Sequence, residues 1–477
     1  MNIVLLVVDT LRADHLSIYG YHRDTSPHLT ALAARGVRFD RCFAQNNATH
    51  PSFTTLMTGL HPLNHGIVGH MGRRQLDNRI PVLAEVLREN GYRTCAVDTM
   101  GRWFRRGFDD YRRYVFDQRE TGPMRSGEQA NDLAIDLLRQ ANRGDRPFFL
   151  FVHYWDPHTP YLPPSPFDRL FEQDGAPDSR LQGSVALSPA FAFQPLARYL
   201  RRWMGDAPSL DAVVACYDAE VAYTDHCVGR LLDELDAPGL RDDTLIVVTG
   251  DHGESLGEHG IYYDHHGLYD PQLRVPLIVS QPSQLPEGTV VDAVVRHLDV
   301  APTILDLAGL AGRMPCEGVS LRDCIGGRAH PAGESILACE ATWQLKLALR
   351  RPDWKLIRSL QPDEYGNPPI ELYDLLSDPR EERNVAGERP EVADDLGREM
   401  DAMVARELAL GGHRRNPMED GITLRPIFAQ MDADDDAAMR AGVVEHLEAE
   451  GYLAPREVYT PEEEALIEER LSNLGYL

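Results

Sequence analysis

The chain opens on an apolar, largely β-branched run, Ile3–Val8, that stops abruptly at Asp9. A run that is apolar at every position, without alternation, is what a strand buried on both faces requires. Pro147–His153 (PFFLFVH), Thr244–Thr249 (TLIVVT) and Val275–Ser280 repeat the pattern, and Arg93–Val97 is a shorter example. Between them lie segments with helical spacing: Thr30–Arg35, Ile80–Asn90 closed by Gly91, Gln129–Gln140, and the long Leu210–Leu235 with Ser209 as its cap. Val300–Leu307 continues the alternation. Strands alternating with helices predict an α/β fold, a doubly wound, mostly parallel sheet with helices on both faces.

After about residue 325 the pattern changes. Glu334–Cys339, Lys346–Arg350 and Lys355–Ser359 are short, strand-like and closely spaced, with turn residues in Pro362–Pro369 and Asp378–Arg383. They predict a small antiparallel sheet with a packed helix. The expected organisation is a catalytic domain over 1–325, a small α+β subdomain over 326–410, and an acidic helical tail over 411–477. Alternating acids and leucines in that tail, as in PEEEALIEERL, are a candidate contact for a homo-oligomer. The insert between Tyr161 and Asp206 and the acidic tail are the expected sources of substrate specificity.

Charge narrows the partners. With 48 basic and 74 acidic residues the net charge is −26, which repels nucleic acid and anionic lipid at long range. A local cation can override that field for a small anionic substrate. No run of about 18 apolar residues occurs, so no transmembrane helix is expected. The seven cysteines form no CxxC pair, which argues against a zinc knuckle and for free thiols in a reducing cytoplasm. The apolar start is too short for a signal peptide, so a cytoplasmic location is expected.

Three places carry candidate chemistry, all at strand ends or nearby loops, where open α/β sheets bind their ligands. Asp9 follows the first strand. Asp251 and His252 lie just beyond Thr244–Thr249, in the Gly-flanked turn GDHGE. Thr49 precedes a helix starting near Pro51, whose N-terminus favours an anion. Two carboxylates, an imidazole and a hydroxyl brought to one edge would hold a divalent metal. His153, His226 and His259 read as structural histidines, and Asp225 as a structural acid.

The strings VVDTLRADHLSIYGY, THPSFTTLMTG, FVHYWDPHTPY, VVTGDHGESLGEHG, LYDPQLRVPLIV and ELYDLLSDPREERN resemble the sulfatase family of the alkaline phosphatase superfamily, in family order from residue 3 to about 385. The resemblance implies that superfamily's fold and a metal held by Asp9, Thr49, Asp251 and His252. It matches His158 of DPHTP to the family's active-site histidine and His265, with His266 beside it, to a family lysine. Arg102 and Asn47 are the expected substrate contacts, Arg102 also clamping the transferring group.

Departures from the family pattern redirect the expected chemistry. The signature Cys-x-Pro-Ser-Arg appears as Thr49-His50-Pro51-Ser52-Phe53, and threonine cannot mature to formylglycine. The Gly-Lys-Trp-His element appears as Gly101-Arg102-Trp103-Phe104. A threonine oxygen at a divalent metal is the arrangement of the superfamily's phosphotransferases, so the leading expectation is a metal-dependent hydrolase of phosphodiesters or phosphonate monoesters, acting through a Thr49 phospho-enzyme. The alternatives are a sulfatase without formylglycine, a phospho-group transferase, and an inactive sulfatase-like protein. The imidazole of His252 shifts the expected metal toward Mn²⁺ or Zn²⁺ over Ca²⁺ or Mg²⁺.

Overall fold

A computed structural model describes residues 1–70, 74–114, 126–171, 210–237, 240–363, 365–413 and 415–420. The apolar runs form the centre of the sheet: β1 (Asn2–Val8), β3 (Arg93–Asp98), β5 (Phe148–Tyr154), β6 (Thr244–Gly250) and β9 (Arg274–Ser280). Three further strands were not expected: β2 (Val37–Phe43), β4 (Asp110–Arg113) and β10 (Thr289–Arg296). They carry Arg38, Asp40, Asp110, Arg112 and Asp292, and their half-exposed polar positions hide the strand pattern. The eight strands run in the order β10-β2-β9-β6-β1-β5-β3-β4, and β7 (Ser255–Leu256) and β8 (Tyr262–Asp264) pair apart from them as an antiparallel ribbon. All pairings are parallel except those of β9, which runs antiparallel to both β6 and β2.

Alternation along the central strands splits the core into two layers. Val4, Leu6 and Val8 of β1 face one layer, with Leu150 and Val152 of β5. Helices α1 (Pro27–Ala34), α5 (Ser126–Asn142) and α6 (Leu210–Leu235) cover it. Ile3, Leu5 and Val7 face the other, under α2 (Thr49–Thr58), α4 (Leu83–Glu89) and α7 (Val300–Leu307). Helix α3 (Pro62–His65) follows α2. Helix α4 starts three residues later than the sequence pattern suggests. Pro81 disfavours a helical Ile80, and Glu85 accepts the Val82 N–H at 3.1 Å. Helix α1 starts at Pro27 because Asp225 of α6 accepts the N–H groups of His28 and Leu29, each at 2.9 Å. That bond occupies Asp225, a role the sequence does not reveal. Ser209 and most of the 161–206 loop lie outside the described residues, as do residues 421–477.

Strands β11 (Ile336–Glu340), β12 (Lys346–Arg350), β13 (Trp354–Ser359) and β14 (Ile370–Asp374) form a separate antiparallel sheet in sequence order. Leu347, Leu349, Leu356 and Leu372 pack against Leu396 and Met400 of α8 (Pro390–Gly411). The opposite face, with Ala348, Ile357 and Tyr373, packs on Phe43, Leu273 and Val294 of the large domain. Lys355, 0% exposed, joins the two through Asp270 at 2.8 Å and Glu381 at 2.7 Å. Among the described residues no helix is long and apolar enough to cross a membrane.

Candidate active site

The C-terminal ends of β1 and β6 are neighbours, so the fold brings Asp9 and Asp251 together. After Asp9 the chain turns sharply. Thr10 sits at φ 51°, a costly left-handed conformation for a β-branched residue. It is held there by its N–H bond to Asp251 Oδ1 at 3.1 Å and by Tyr217, which donates to its carbonyl at 2.8 Å. Gly253 lets the turn after His252 pass close to Pro271. A Cβ there would lie 1.9 Å from the Pro271 carbonyl oxygen.

Asp9, Asp251 and His252 offer ligand atoms within 4.8 Å of one another, and all three are 0% exposed. In each residue one polar atom is tied and the other is left to face the cluster. Asp9 Oδ2 accepts from His153 Nε2 at 3.3 Å, while Oδ1 has no hydrogen-bond partner. Asp251 Oδ1 accepts the N–H groups of Thr10 and His252, while Oδ2 has no hydrogen-bond partner. His252 Nδ1 donates to the Gly253 carbonyl at 2.9 Å, which puts the lone pair on Nε2. Nε2 lies 3.7 Å from Asp9 Oδ1 and 3.3 Å from Asp251 Oδ2. Buried bare carboxylate oxygens are costly, and a cation among them removes the cost. The donor set therefore fits a divalent metal held by Asp9, Asp251 and His252.

The electrostatics of the three residues fit a cation held among them. Burial, together with the Asp9 charge, pushes the Asp251 carboxyl well above its ordinary range. Burial pushes His252 down to about 3, so its ring is neutral, as a metal ligand must be. Burial opposes ionisation of Asp9 too, but the His153 hydrogen bond and the neighbouring imidazoles hold it well below the usual carboxylate value.

Thr49 is the first residue of α2 and is buried, with Oγ1 3.4 Å from His252 Nε2. Ser52, one turn along, donates to the Asp251 carbonyl at 2.6 Å and fixes the helix against the Asp251–His252 turn. Asn47 spends its amide nitrogen on the carbonyls of His265 (2.7 Å) and Gly267 (3.0 Å), so it clamps a loop and leaves only Oδ1 to meet a ligand.

The histidines separate by position. The His265 ring lies 4.5 Å from the His252 ring and 5.8 Å from that of His158. Burial lowers its pKa, but Glu254, Asp264 and Asp9 outweigh that and hold it up at about 9. His158 stacks on Trp155 at 4.3 Å, with Nδ1 on the Thr159 carbonyl at 2.9 Å. His266 does not join this group. It bonds Tyr365 Oη at 2.6 Å and packs on Trp343 at 4.4 Å, turned toward the small sheet. Both histidines approach Asp264, at 3.5 Å and 3.3 Å, but of the two it is the His265 ring that also lies beside His252. Arg102 lies over Trp103 at 4.4 Å and donates to the Arg74 carbonyl at 3.2 Å, on the flank of α2.

One residue that the sequence marks as structural belongs here. His153, 0% exposed in β5, bridges Asp9 and Asp98. Nothing in the run PFFLFVH distinguishes it, because its second carboxylate is 55 residues away.

Residues 1–310 match the protein family described as Sulfatase, and residues 257–406 match N-sulphoglucosamine sulphohydrolase, C-terminal. The chain belongs to the sulfatase family. Among curated sulfatases it is similar to an N-acetylglucosamine-6-O-sulfatase of Bacteroides thetaiotaomicron, 24% identical, covering 81% of this chain and 82% of the relative. It is also similar to a choline-sulfatase of Rhizobium meliloti, 27% identical over the same shares. In fold it resembles the phosphonate monoester hydrolase of Agrobacterium radiobacter, with a TM-score of 0.68, 24% identity and coverage of 85% and 96%. A protein solved with D-glucosamine-2-N,6-O-disulfate gives a TM-score of 0.69 at 22% identity, covering 87% and 99%. As a sulfatase-family protein it is a hydrolase acting on sulfuric or phosphoric ester bonds.

Proposed function

We propose that this sulfatase-family hydrolase cleaves phosphodiesters or phosphonate monoesters, with Thr49 Oγ1 as the nucleophile. The observation that carries the reading is the Thr49 hydroxyl 3.4 Å from His252 Nε2, at the edge of the cluster with two bare carboxylate oxygens. When bound, a divalent cation supplies a lowered pKa for that hydroxyl and polarises the ester. Thr49 Oγ1 releases its proton to solvent and attacks phosphorus, and the bond from phosphorus to the alcohol oxygen breaks. His265, held cationic by Glu254 and Asp264, gives its proton to the leaving oxygen. Water then attacks the same phosphorus, breaks the Thr49–phosphoryl bond and restores the hydroxyl. The imidazole ligand favours Mn²⁺ or Zn²⁺ over Ca²⁺.

A second reading, hydrolysis of sulfuric esters, is favoured by the curated sulfatases the chain resembles. A threonine sulfate would need a second displacement at sulfur, whereas a formylglycine hydrate releases sulfate by collapsing.

The test compares bis(p-nitrophenyl) phosphate, p-nitrophenyl phenylphosphonate and p-nitrophenyl sulfate, each with Mn²⁺ or Zn²⁺, for wild type and Thr49→Ala. The reading expects phosphorus esters to turn over fastest and Thr49→Ala to lose at least about 10²-fold. Faster turnover of the sulfate ester favours the second reading. Undiminished activity in Thr49→Ala removes the nucleophile.

A further inference from the structure

The three metal-facing residues are held in place by different means. Asp251 is oriented by the main-chain N–H groups of Thr10 and His252, and His252 by the main-chain carbonyl of Gly253. Asp9 alone depends on a side chain, His153. That side chain is the middle of a chain of hydrogen bonds. Tyr111 donates to Asp98 Oδ2, Asp98 Oδ1 meets His153 Nδ1 at 2.9 Å, and His153 Nε2 meets Asp9 Oδ2 at 3.3 Å.

The chain follows the sheet. Tyr111 is on β4, Asp98 ends β3, His153 is on β5 and Asp9 follows β1, and β1-β5-β3-β4 are consecutive strands. Asp9 is itself seated on β5, its N–H bonded to the Tyr154 carbonyl at 2.9 Å. The His153 ring is walled by Phe53, edge to face at 4.7 Å, so no water competes for its nitrogens from that side. Asp98 is anchored in turn by the Thr99 N–H at 2.7 Å. Every member from Asp98 inward is 0% exposed.

We propose that His153 is a positioning residue for the metal. It donates Nε2–H to Asp9 Oδ2 and so fixes the carboxylate with Oδ1 turned to the ion, while Asp98 and Tyr111 hold the His153 ring. The inference rests on the reading that Asp9, Asp251 and His252 bind a divalent cation. It deepens that reading, because metal affinity then depends on residues that never touch the metal. Hydrogen-bonded partners of this kind are worth about 10- to 100-fold in affinity.

Two amide variants each keep one of the two hydrogen bonds. In His153→Gln the amide nitrogen falls near the Nε2 position and still donates to Asp9. In His153→Asn it falls near Nδ1, meets Asp98 and leaves Asp9 unsupported. The full chain, stripped with a chelator, is titrated with Mn²⁺ alone and with Zn²⁺ alone by calorimetry, and the metal-free melting temperature is measured beside it. The expected result is a dissociation constant about 10- to 100-fold weaker for His153→Asn and within about threefold of wild type for His153→Gln. A merely structural histidine would lower both melting temperatures and leave the dissociation constants of the folded variants unchanged. That result overturns the inference, as does equal weakening in the two variants. Should one variant fail to fold, Tyr111→Phe supplies the second measurement, with a weaker loss of affinity in the same direction expected and an unchanged affinity counting against the inference. A wild-type chain that binds neither ion overturns the metal site itself and is told apart by that control.

Discussion

Ser52 donates its hydroxyl to the main-chain carbonyl of Asp251 at 2.6 Å, so the helix that presents Thr49 is fastened directly to the strand end that presents Asp251 and His252. His297 Nδ1, 3.1 Å from the same hydroxyl, and its Nε2, 3.2 Å from Thr249 Oγ1, complete the joint. Asp9 and Asp251 are already held together by the pairing of β1 with β6, and the Ser52 bond ties α2 to that pair.

Removing the joint separates positioning from metal binding. Ser52→Ala leaves Asp9, Asp251 and His252 untouched but frees the first turn of α2. Displacements of about 1 Å near reacting atoms cost up to about 10²-fold. Ser52→Ala is therefore expected to lower kcat by about 10- to 100-fold while the Mn²⁺ dissociation constant stays within about threefold of wild type. Steady-state kinetics and calorimetry on the same preparation check it. A parallel fall in metal affinity would mean that Ser52 acts through Asp251 and not through Thr49.

The role of His265 is legible in its dependence on the leaving group. A general acid matters when the departing oxygen is basic and is dispensable when it is not. His265→Gln is expected to lose about 10²- to 10⁴-fold on alkyl phosphodiesters and much less on p-nitrophenyl esters. A series of phenyl esters of graded leaving-group pKa measures the slope, which should steepen in the variant. An unchanged slope assigns the proton to another group, with His158, its ring 5.8 Å from that of His265, the next to test.

Much of this arrangement can be read from the chain, and the limits are physical. Asp9, Asp251 and His252 stand at the ends of runs so uniformly apolar that their strands and their common edge follow from pattern alone. Strands β2 and β10 escape because Arg38, Asp40 and Asp292 interrupt them, and β14 because Pro368 and Pro369 precede it. The separation of His265 from His266 depends on Tyr365 and Trp343, which lie far along the chain and pack on the second ring. The tie between His153 and Asp98 needs the strand order, and a crossover topology is not written in local spacing.

Asp251 carries opposed demands that a single substitution can expose. Without a cation, burial and the Asp9 charge both oppose its ionisation, so the metal-free fold holds an acid it does not favour. Asp251→Asn keeps the shape and removes that charge. The variant is expected to melt higher than wild type, by roughly 2–4 °C, when both are metal-free. It should also lose the melting-temperature rise that Mn²⁺ or Zn²⁺ gives the wild type and at least about 10²-fold in activity. Differential scanning fluorimetry with and without chelator reads both effects. A lower metal-free melting temperature would show that the charge on Asp251 strengthens the bonds it accepts from Thr10 and His252 by more than burial penalises it.

A pH effect on stability is expected where Glu317 meets Glu407 of α8. Glu317 also accepts the His61 N–H at 3.3 Å and a bond from Asn64, so it ties the small sheet's helix to the loop after α2. Burial, then the hydrogen bond and charge of Glu407, push its carboxyl from the ordinary 4.5 up to about 9. The folded chain therefore holds its proton where the unfolded chain has already released it. Between pH of about 4.5 and about 9 the folded state binds more protons, and stability falls as the pH rises through that window. Glu317→Gln mimics the protonated acid at every pH and removes this contribution. The variant and wild type are expected to melt together near pH 5, and the variant to melt roughly 2–4 °C higher near pH 9. Melting curves at half-unit pH intervals check it, in chelator throughout so that metal binding does not contribute. A gap that stays constant with pH would mean that Glu317 is ionised in the folded protein and that Asn64 and the His61 N–H hold it as an anion.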